Sequence, residues 1–428
     1  MISTKLDALF HTQERSIRPG IAIAIIQEGQ VTYCRGYGLA NMEWEQPVTP
    51  PTVFGLGSVT KPFTATSIML LEQQGKLCLD DTIQTYLPEY PPQEHHVTLR
   101  HLLTHTSGIP NFVTQPGFWE QHAHTKNSVA EVIALFKDLP FDFAPGTHYS
   151  YSNSGYVLLG HILERLLDTS YGEAIQRLIF HPLGMTHSYY LTPEAIIPYR
   201  ASGYIRTEQG YQHANYMTSA TRHAAGGLAS TLEDMILWDS ALREERLLDH
   251  ATQARMYSPL RLVDGRTENY GFGWEIGQYR QHHYVCHAGG IPGYSAFFGR
   301  FPDDKLTIIL LSNRHGLDVS GLARKIAQIV LDLPPLARAP VSLNTEIYRK
   351  MVGTYENVFG TLEVKEEEQE LRLHWGKTHT LVPISETSFY STENEDMEVH
   401  FEYPSEQGGY ERIRIIQPFF WCTAERAE

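Results

Sequence analysis

Cysteine is scarce in this chain: four in 428 residues, Cys34, Cys78, Cys286 and Cys422, with no C-x-x-C pair among them. That spacing excludes a disulfide-stapled scaffold and a cysteine-based zinc site, and leaves buried or idle thiols. Long apolar runs are also lacking. Ile21 to Ile26 (IAIAII) and Leu306 to Leu311 (LTIILL) fall far short of the roughly 20 residues that a membrane span requires, so no membrane partner is expected. Positive charge is in deficit too, with 34 Lys and Arg against 49 Asp and Glu and a formal net charge of -15. A nucleic-acid partner would call for the opposite balance. The acid is concentrated at the end of the chain, where residues 341–428 carry 8 Lys and Arg and 17 Asp and Glu. The first twenty residues mix charges into their apolar positions and build no secretory h-region. The expectation is a cytoplasmic chain, or a secreted one whose leader has been removed.

What is present suits a globular protein of two parts. The length exceeds that at which one core keeps growing, so a large domain and a smaller one are expected. Ile21 to Gly38 holds two β-rich runs around a turn at Gly29, a hairpin signature. Helical spacing of apolar residues then dominates for roughly 200 residues, as in Gly155–Leu167 and Leu232–Glu245. Three strand-like segments follow, HHYVCHAGG, SAFFGRF and LTIILLSN, and then a helix over Ser320–Leu333. Hairpin first, helices in the middle and three strands last imply an α+β fold, with one antiparallel sheet completed by both ends of the segment and helices against it. The Pro-rich stretch Pro334–Pro340 breaks the last helix and sets the expected boundary, giving domains 1–335 and 341–428. Beyond it apolar residues alternate, as in Leu371, Leu373, Trp375 and in Met397, Val399, Phe401, Tyr403. Alternation in short strands suits a small antiparallel β-barrel, because closure removes exposed edges.

One short stretch stands out. In SVTK, Ser58 and Lys61 are three apart at the start of an apolar helical run, which places them on one face, and Pro62 supports a helix start. A plain capping role fits poorly, since a capping box asks for Glu or Gln at the third position and the helix N-terminus repels a cation. Shielding the ammonium there lowers its pKa and makes the neutral amine a base for the serine. Two further stretches carry candidate partners. Tyr151 and Asn153 precede a helix in YSN, where Asn153 or Ser154 could alternatively cap it. His287, Gly289 and Gly290 follow a strand in HAGG, where glycine lets a substrate approach the backbone.

With S-x-x-K, Y-x-N and H-x-G in that order, the chain resembles the serine β-lactamase and penicillin-binding-protein superfamily, in its class C, esterase and D-peptidase branch. LRHLLTHTSGI (Leu99–Ile109) and AAGGLASTLEDM (Ala224–Met235) extend the likeness, which covers roughly residues 15–330. The tail, from MVGTYEN (Met351–Asn357), resembles the lipocalin-like barrel carried by some members. The resemblance implies a β-lactamase/transpeptidase-like fold and a serine hydrolase that forms an acyl-enzyme on ester, amide or short-peptide substrates, with no cofactor and no metal. It implies Ser58 as nucleophile, Lys61 and Tyr151 as the proton-transfer pair, both with pKa values brought toward neutrality, and Tyr151 as base for the deacylating water. Asn153 would orient Lys61 and the acyl group. The N–H groups of Ser58 and Gly290, beside Gly289, would form the oxyanion hole. His287 stands where a K-T-G enzyme has lysine, and a mostly neutral imidazole predicts an esterase or D-amino-acid-type peptidase rather than a strong β-lactamase. The alternatives are a penicillin-binding, sensor-like protein that is acylated without efficient turnover, or a β-lactamase, and a homo-oligomer is compatible with each.

Other hydrolase layouts are unsupported. No G-x-S-x-G elbow occurs. His101 and His105 have the spacing of a zincin helix, but Leu102 stands where its Glu belongs, so both are expected to be structural.

Overall fold

The computed structural model describes residues 2–14, 18–91, 95–334, 336, 338–357, 360–405 and 408–427. The chain divides into two compact units, Met1–Ile329 and Val330–Glu428. Pro335 and Ala337, inside the expected proline-rich break, lie outside the described residues.

The first unit is built on a six-stranded antiparallel sheet. Its strands are β1 (Ile21–Gln27), β2 (Gln30–Tyr37), β3 (Glu275–Tyr279), β4 (His282–Ile291), β5 (Tyr294–Phe301) and β6 (Leu306–Ser312), in the spatial order β3-β4-β5-β6-β1-β2. Both ends of the unit therefore complete one sheet, as expected, with β1 seated between β6 and β2 in the registers Ile23↔Leu310 and Ile23↔Arg35. Ile21 to Ile26 are buried without alternation, the pattern of a strand covered on both faces. The edge strand β3 was not foreseen. It is short, and three of its five residues are only half-buried.

Helix α1 (Ile2–Glu14) lies on β2, and α5 (Leu232–Arg243) packs on β1 and β6. A separate helical group, α2 (Thr60–Gln73), α3 (Asn153–Leu167) and α4 (Ser219–Gly226), packs together beside β4. The last helix of the segment, α6, spans Val319–Val330. No helix among the described residues is long and apolar enough to cross a membrane.

The second unit is a closed eight-stranded antiparallel barrel, β7 (Gly353–Asn357) through β14 (Phe420–Arg426) in chain order around the ring. Its strands alternate as the sequence does. Leu371, Leu373, Val399, Phe401, Ile413 and Ile415 point inward and are 3% exposed or less, while Arg372, His374, His400, Glu402 and Arg414 between and beside them are half-buried. Closure leaves no unpaired edge to template association.

Candidate active site

Ser58 sits in a single 3-10 turn, Gly57–Val59, that runs directly into α2. Lys61 occupies the first turn of that helix and is 0% exposed. Its Nζ donates to Ser58 Oγ at 3.3 Å, to Asn153 Oδ1 at 2.8 Å and to the Ala225 carbonyl at 3.0 Å. The ammonium also lies over two rings, 4.6 Å from the centroid of Tyr151 and 5.3 Å from that of Tyr156. Among the described residues no carboxylate stands within ion-pair distance of it. Burial without a counter-ion pushes its pKa well below the usual lysine value, an effect that the Glu275 carboxyl partly opposes.

Asn153 is the first residue of α3, not its cap; Ser152 holds that position and makes no side-chain cap. The Asn153 N–H is anchored on Asn111 Oδ1 at 3.1 Å, which leaves its side-chain oxygen for Lys61. Ser154 also points elsewhere, donating to the Pro110 carbonyl at 2.6 Å and accepting from the Phe112 N–H. Tyr151 lies two residues before α3, with its hydroxyl near enough to Ser58 for the serine to act on its pKa. One expectation is corrected here. Burial raises the Tyr151 pKa above the ordinary phenol value, and the neighbouring Ser58 side chain offsets this only in part. Of the expected proton-transfer pair, only Lys61 is brought toward neutrality.

Glycine explains how β4 approaches this turn. A methyl built on Gly289 would stand 2.1 Å from the Leu56 carbonyl oxygen and 2.9 Å from Ser58 N, and one on Gly57, itself at φ +53°, would stand 2.6 Å from Gly290 N. Neither position admits a side chain. The amides of Ser58 and Gly290 are thereby brought to one place, and Gly290 is exposed at it.

His287 is 1% exposed. Its Nε2 meets the Tyr270 hydroxyl at 3.1 Å, its Nδ1 meets the Ala288 carbonyl at 2.6 Å, and its ring centroid is 6.2 Å from that of Tyr151. Burial, with the Lys61 charge adding to it, pushes its pKa down to about 3. The seven residues singled out from the sequence thus surround one point.

Other groups of the site were not anticipated. His105, 1% exposed, accepts the Ser152 N–H on Nδ1 at 3.1 Å and packs its ring 4.3 Å from Tyr151 and 4.7 Å from Tyr270. It supports the site from beneath, while His101 plays the structural part expected, accepting the Thr98 N–H in the capping box of a short helix. Glu275 opens β3. Its pKa is raised to about 8 by burial, against the pull of Lys61. The pair of glycines before it, in GFGWE, was the sequence signal: Gly273, at φ +81°, passes so near Lys61 that a methyl there would meet its carbonyl oxygen at 2.9 Å. His223 sits inside α4 with φ 29° and ψ -132°, a non-helical kink. That kink aims two successive carbonyls at α2, Ala224 at Thr64 Oγ1 (2.7 Å) and Ala225 at Lys61 Nζ. Strain of this kind persists only where surrounding structure over-determines it.

Among the described residues no group of three or more His, Cys, Asp or Glu could hold a metal ion. Half-buried Ser58 and Tyr151 stand beside the buried Lys61, next to the Ser58 and Gly290 amides. The protein-family model described as Beta-lactamase matches residues 7–331. The chain belongs to the Beta-lactamase family. Among its relatives, penicillin-binding protein 4* of Bacillus subtilis is 32% identical over 414 residues, covering 90% of each chain. A D-aminopeptidase of Gluconobacter oxydans is 27% identical over 341 residues, which are 79% of this chain and 63% of that protein. The octameric penicillin-binding protein homologue from Pyrococcus abyssi, a solved structure, is 26% identical with a TM-score of 0.68 and covers 99% of both chains.

Proposed function

We propose that this Beta-lactamase family member is a serine hydrolase that cleaves ester or amide bonds of small molecules or short peptides through an acyl-enzyme on Ser58. One observation carries the reading: Lys61, fully buried and without a carboxylate counter-ion, points its nitrogen at Ser58 Oγ. Its depressed pKa leaves a neutral amine able to take the serine proton.

As the Oγ–C bond forms, the proton passes to Lys61 and the carbonyl oxygen becomes an oxyanion between the Ser58 and Gly290 amides. Collapse breaks the bond to the leaving group, which takes its proton from the Lys61 ammonium by way of the Tyr151 hydroxyl. Tyr151 remains a neutral relay, in keeping with its raised pKa. Water then attacks the acyl carbon and gives its proton to the Lys61 amine; the Oγ–C bond breaks, the acid leaves, and Ser58 Oγ takes the proton back from Lys61. This moves the deacylation base from Tyr151, the sequence expectation, to Lys61.

A relative named D-aminopeptidase supports amide and short-peptide substrates, and the buried, neutral His287 supports weak action on β-lactams. The octameric homologue supports a homo-oligomer, which light scattering would measure. The deciding experiment is labelling with a fluorophosphonate probe. Ser58 should be labelled in the wild type and Ser58→Ala should not; labelling that persists in the mutant overturns the nucleophile assignment. An acyl adduct from a p-nitrophenyl ester that decays within minutes indicates turnover, and one that never decays indicates a protein that is only acylated.

A further inference from the structure

A cavity of about 260 Å³ opens beside the site and is lined in part by Arg200, Arg222, Tyr216, Ile291 and Tyr294. Arg222 lies on α4, three residues before the Ala225 carbonyl that holds Lys61, and is 4% exposed. Its guanidinium has five N–H groups. Nε donates to the Thr218 carbonyl at 3.3 Å, and Nη2 donates to the Leu191 carbonyl at 3.1 Å and to the Tyr216 hydroxyl at 2.6 Å. Nη1 has no acceptor among the described residues. Burial lowers the Arg222 pKa, and Tyr216, whose ring centroid lies 5.0 Å from the guanidinium carbon, offsets this only in part. Arg200, exposed on the same cavity wall, has no carboxylate partner among the described residues either.

Among the described residues no Asp or Glu lines the cavity, and His213, at its edge, is engaged by Glu43 at 3.3 Å. In a chain with a formal charge of -15, two guanidinium groups left without anions around one hollow are a departure that calls for a ligand. A buried charge that is neither paired nor fully hydrogen-bonded is costly to keep.

The direction in which a substrate lies follows from the strand. Along β4, His287 and the nearby Tyr151 ring stand on one side of Gly290, and Ile291 stands on the other. The leaving group has to reach the proton relayed by Tyr151, so the acyl half extends the opposite way, over Ile291. Gly226 marks the continuity of the two regions: a methyl there would touch Gly57 at 3.6 Å and Ile291 at 3.7 Å.

We propose that this cavity is a specificity subsite for acyl donors bearing a carboxylate, which Arg222 Nη1 and Arg200 bind together. The proposal deepens the hydrolase reading above and rests on it for the direction of the acyl chain. A guanidinium fork matches a planar carboxylate in a way that a neutral amide cannot reproduce.

The test compares kcat/KM for N-acetylglutamyl and N-acetylglutaminyl p-nitroanilides, in D and L forms, isosteres that differ in one charge. The ratio of acid to amide is the readout, because a general loss of activity cannot move it. The wild type should favour the acid by about tenfold, the ratio should fall toward one in Arg222→Gln, and it should fall several-fold in Arg200→Gln. Arg200 is exposed, so that variant keeps the test valid if Arg222→Gln fails to fold, which thermal melting would report. Equal rates for acid and amide in the wild type, or a ratio unmoved by either substitution, overturn the proposal.

Binding separates this from the chemistry. Calorimetry of glutarate on Ser58→Ala should show binding that Ser58→Ala/Arg200→Gln weakens, even if the wild type turns over no substrate and the hydrolase reading falls. Absence of glutarate binding at millimolar concentration, or binding of inorganic phosphate in its place, overturns the carboxylate subsite while leaving the hydrolase reading standing.

Discussion

Lys61 Nζ and Asn153 Oδ1, 92 residues apart in the chain, are 2.8 Å apart in the fold. This contact joins the first turn of α2 to the first residue of α3 and fixes the direction in which the amine points. Without it the nitrogen keeps the Ala225 carbonyl at 3.0 Å and only a long contact to Ser58. Asn153→Ala should therefore lower kcat/KM for p-nitrophenyl esters by about 10–100-fold with labelling of Ser58 slowed but not abolished, since orientation is lost while the nucleophile remains. Steady-state and labelling kinetics on the one variant check both halves.

Much of this geometry was legible in the sequence because it is local or periodic. Ser58 and Lys61 share a face through i, i+3 spacing, and HAGG announces a strand that another backbone must approach. The barrel was legible for a similar reason, one wet face and one dry face along each strand. What escaped depends on tertiary contact. The strand bearing Glu275 is a short edge with little alternation, and His105 becomes a neighbour of Tyr151 only when a loop folds under α3. The kink at His223 has no local signature, because a β-type or helical backbone is what a histidine prefers and the packing overrides it. The pKa of Tyr151 went the other way from expectation because a phenol and an ammonium respond oppositely to the same burial.

Gly160 tests how tightly α3 and α4 are held. Helix propensity alone would make Gly160→Ala stabilising by about 1 kcal/mol. Here the added methyl would stand 2.4 Å from Ala224 Cβ and 2.8 Å from His223 Nε2, and overpacking of that kind costs about 1–3 kcal/mol. The packing cost should win. Urea denaturation should show a lower midpoint for Gly160→Ala, and ester hydrolysis should fall as well, because the same displacement moves the Ala225 carbonyl away from Lys61.

Glu275 gives a pH dependence of definite sign. With its pKa raised to about 8 in the fold from 4.5, the native state holds a proton that the unfolded chain has released over that window. Its contribution to stability is full below about 4.5 and is lost as pH rises through 8, by at most about 1.4 kcal/mol per pH unit. Glu275→Gln should flatten that decline. Only the ionised carboxylate raises the Lys61 pKa, and below about 8 the carboxyl is protonated, so the same variant should leave the acidic limb of the kcat/KM profile in place. A limb that moves to lower pH in Glu275→Gln would show that the carboxyl is already ionised there.

His287 offers a test of the choice between esters and β-lactams. Its pKa, pushed down to about 3 from 6.5, keeps the imidazole neutral from pH 4 upward, so it offers no cation to a substrate carboxylate. The same depression means that His287 favours the fold above pH 6.5 and that this contribution is lost as pH falls toward 3. The lost cation can be put back. His287→Lys should raise the ratio of nitrocefin to p-nitrophenyl acetate turnover by about tenfold, the worth of one charge-assisted hydrogen bond at about 1.4 kcal/mol or more. Lysine at a site that is 1% exposed and packed against Tyr270 will also be destabilising, so rates need comparison as a ratio on protein shown to be folded by its melting curve. If the ratio stays fixed while both rates fall, His287 does not govern the preference between β-lactams and esters, and the Arg200–Arg222 side becomes the place to look.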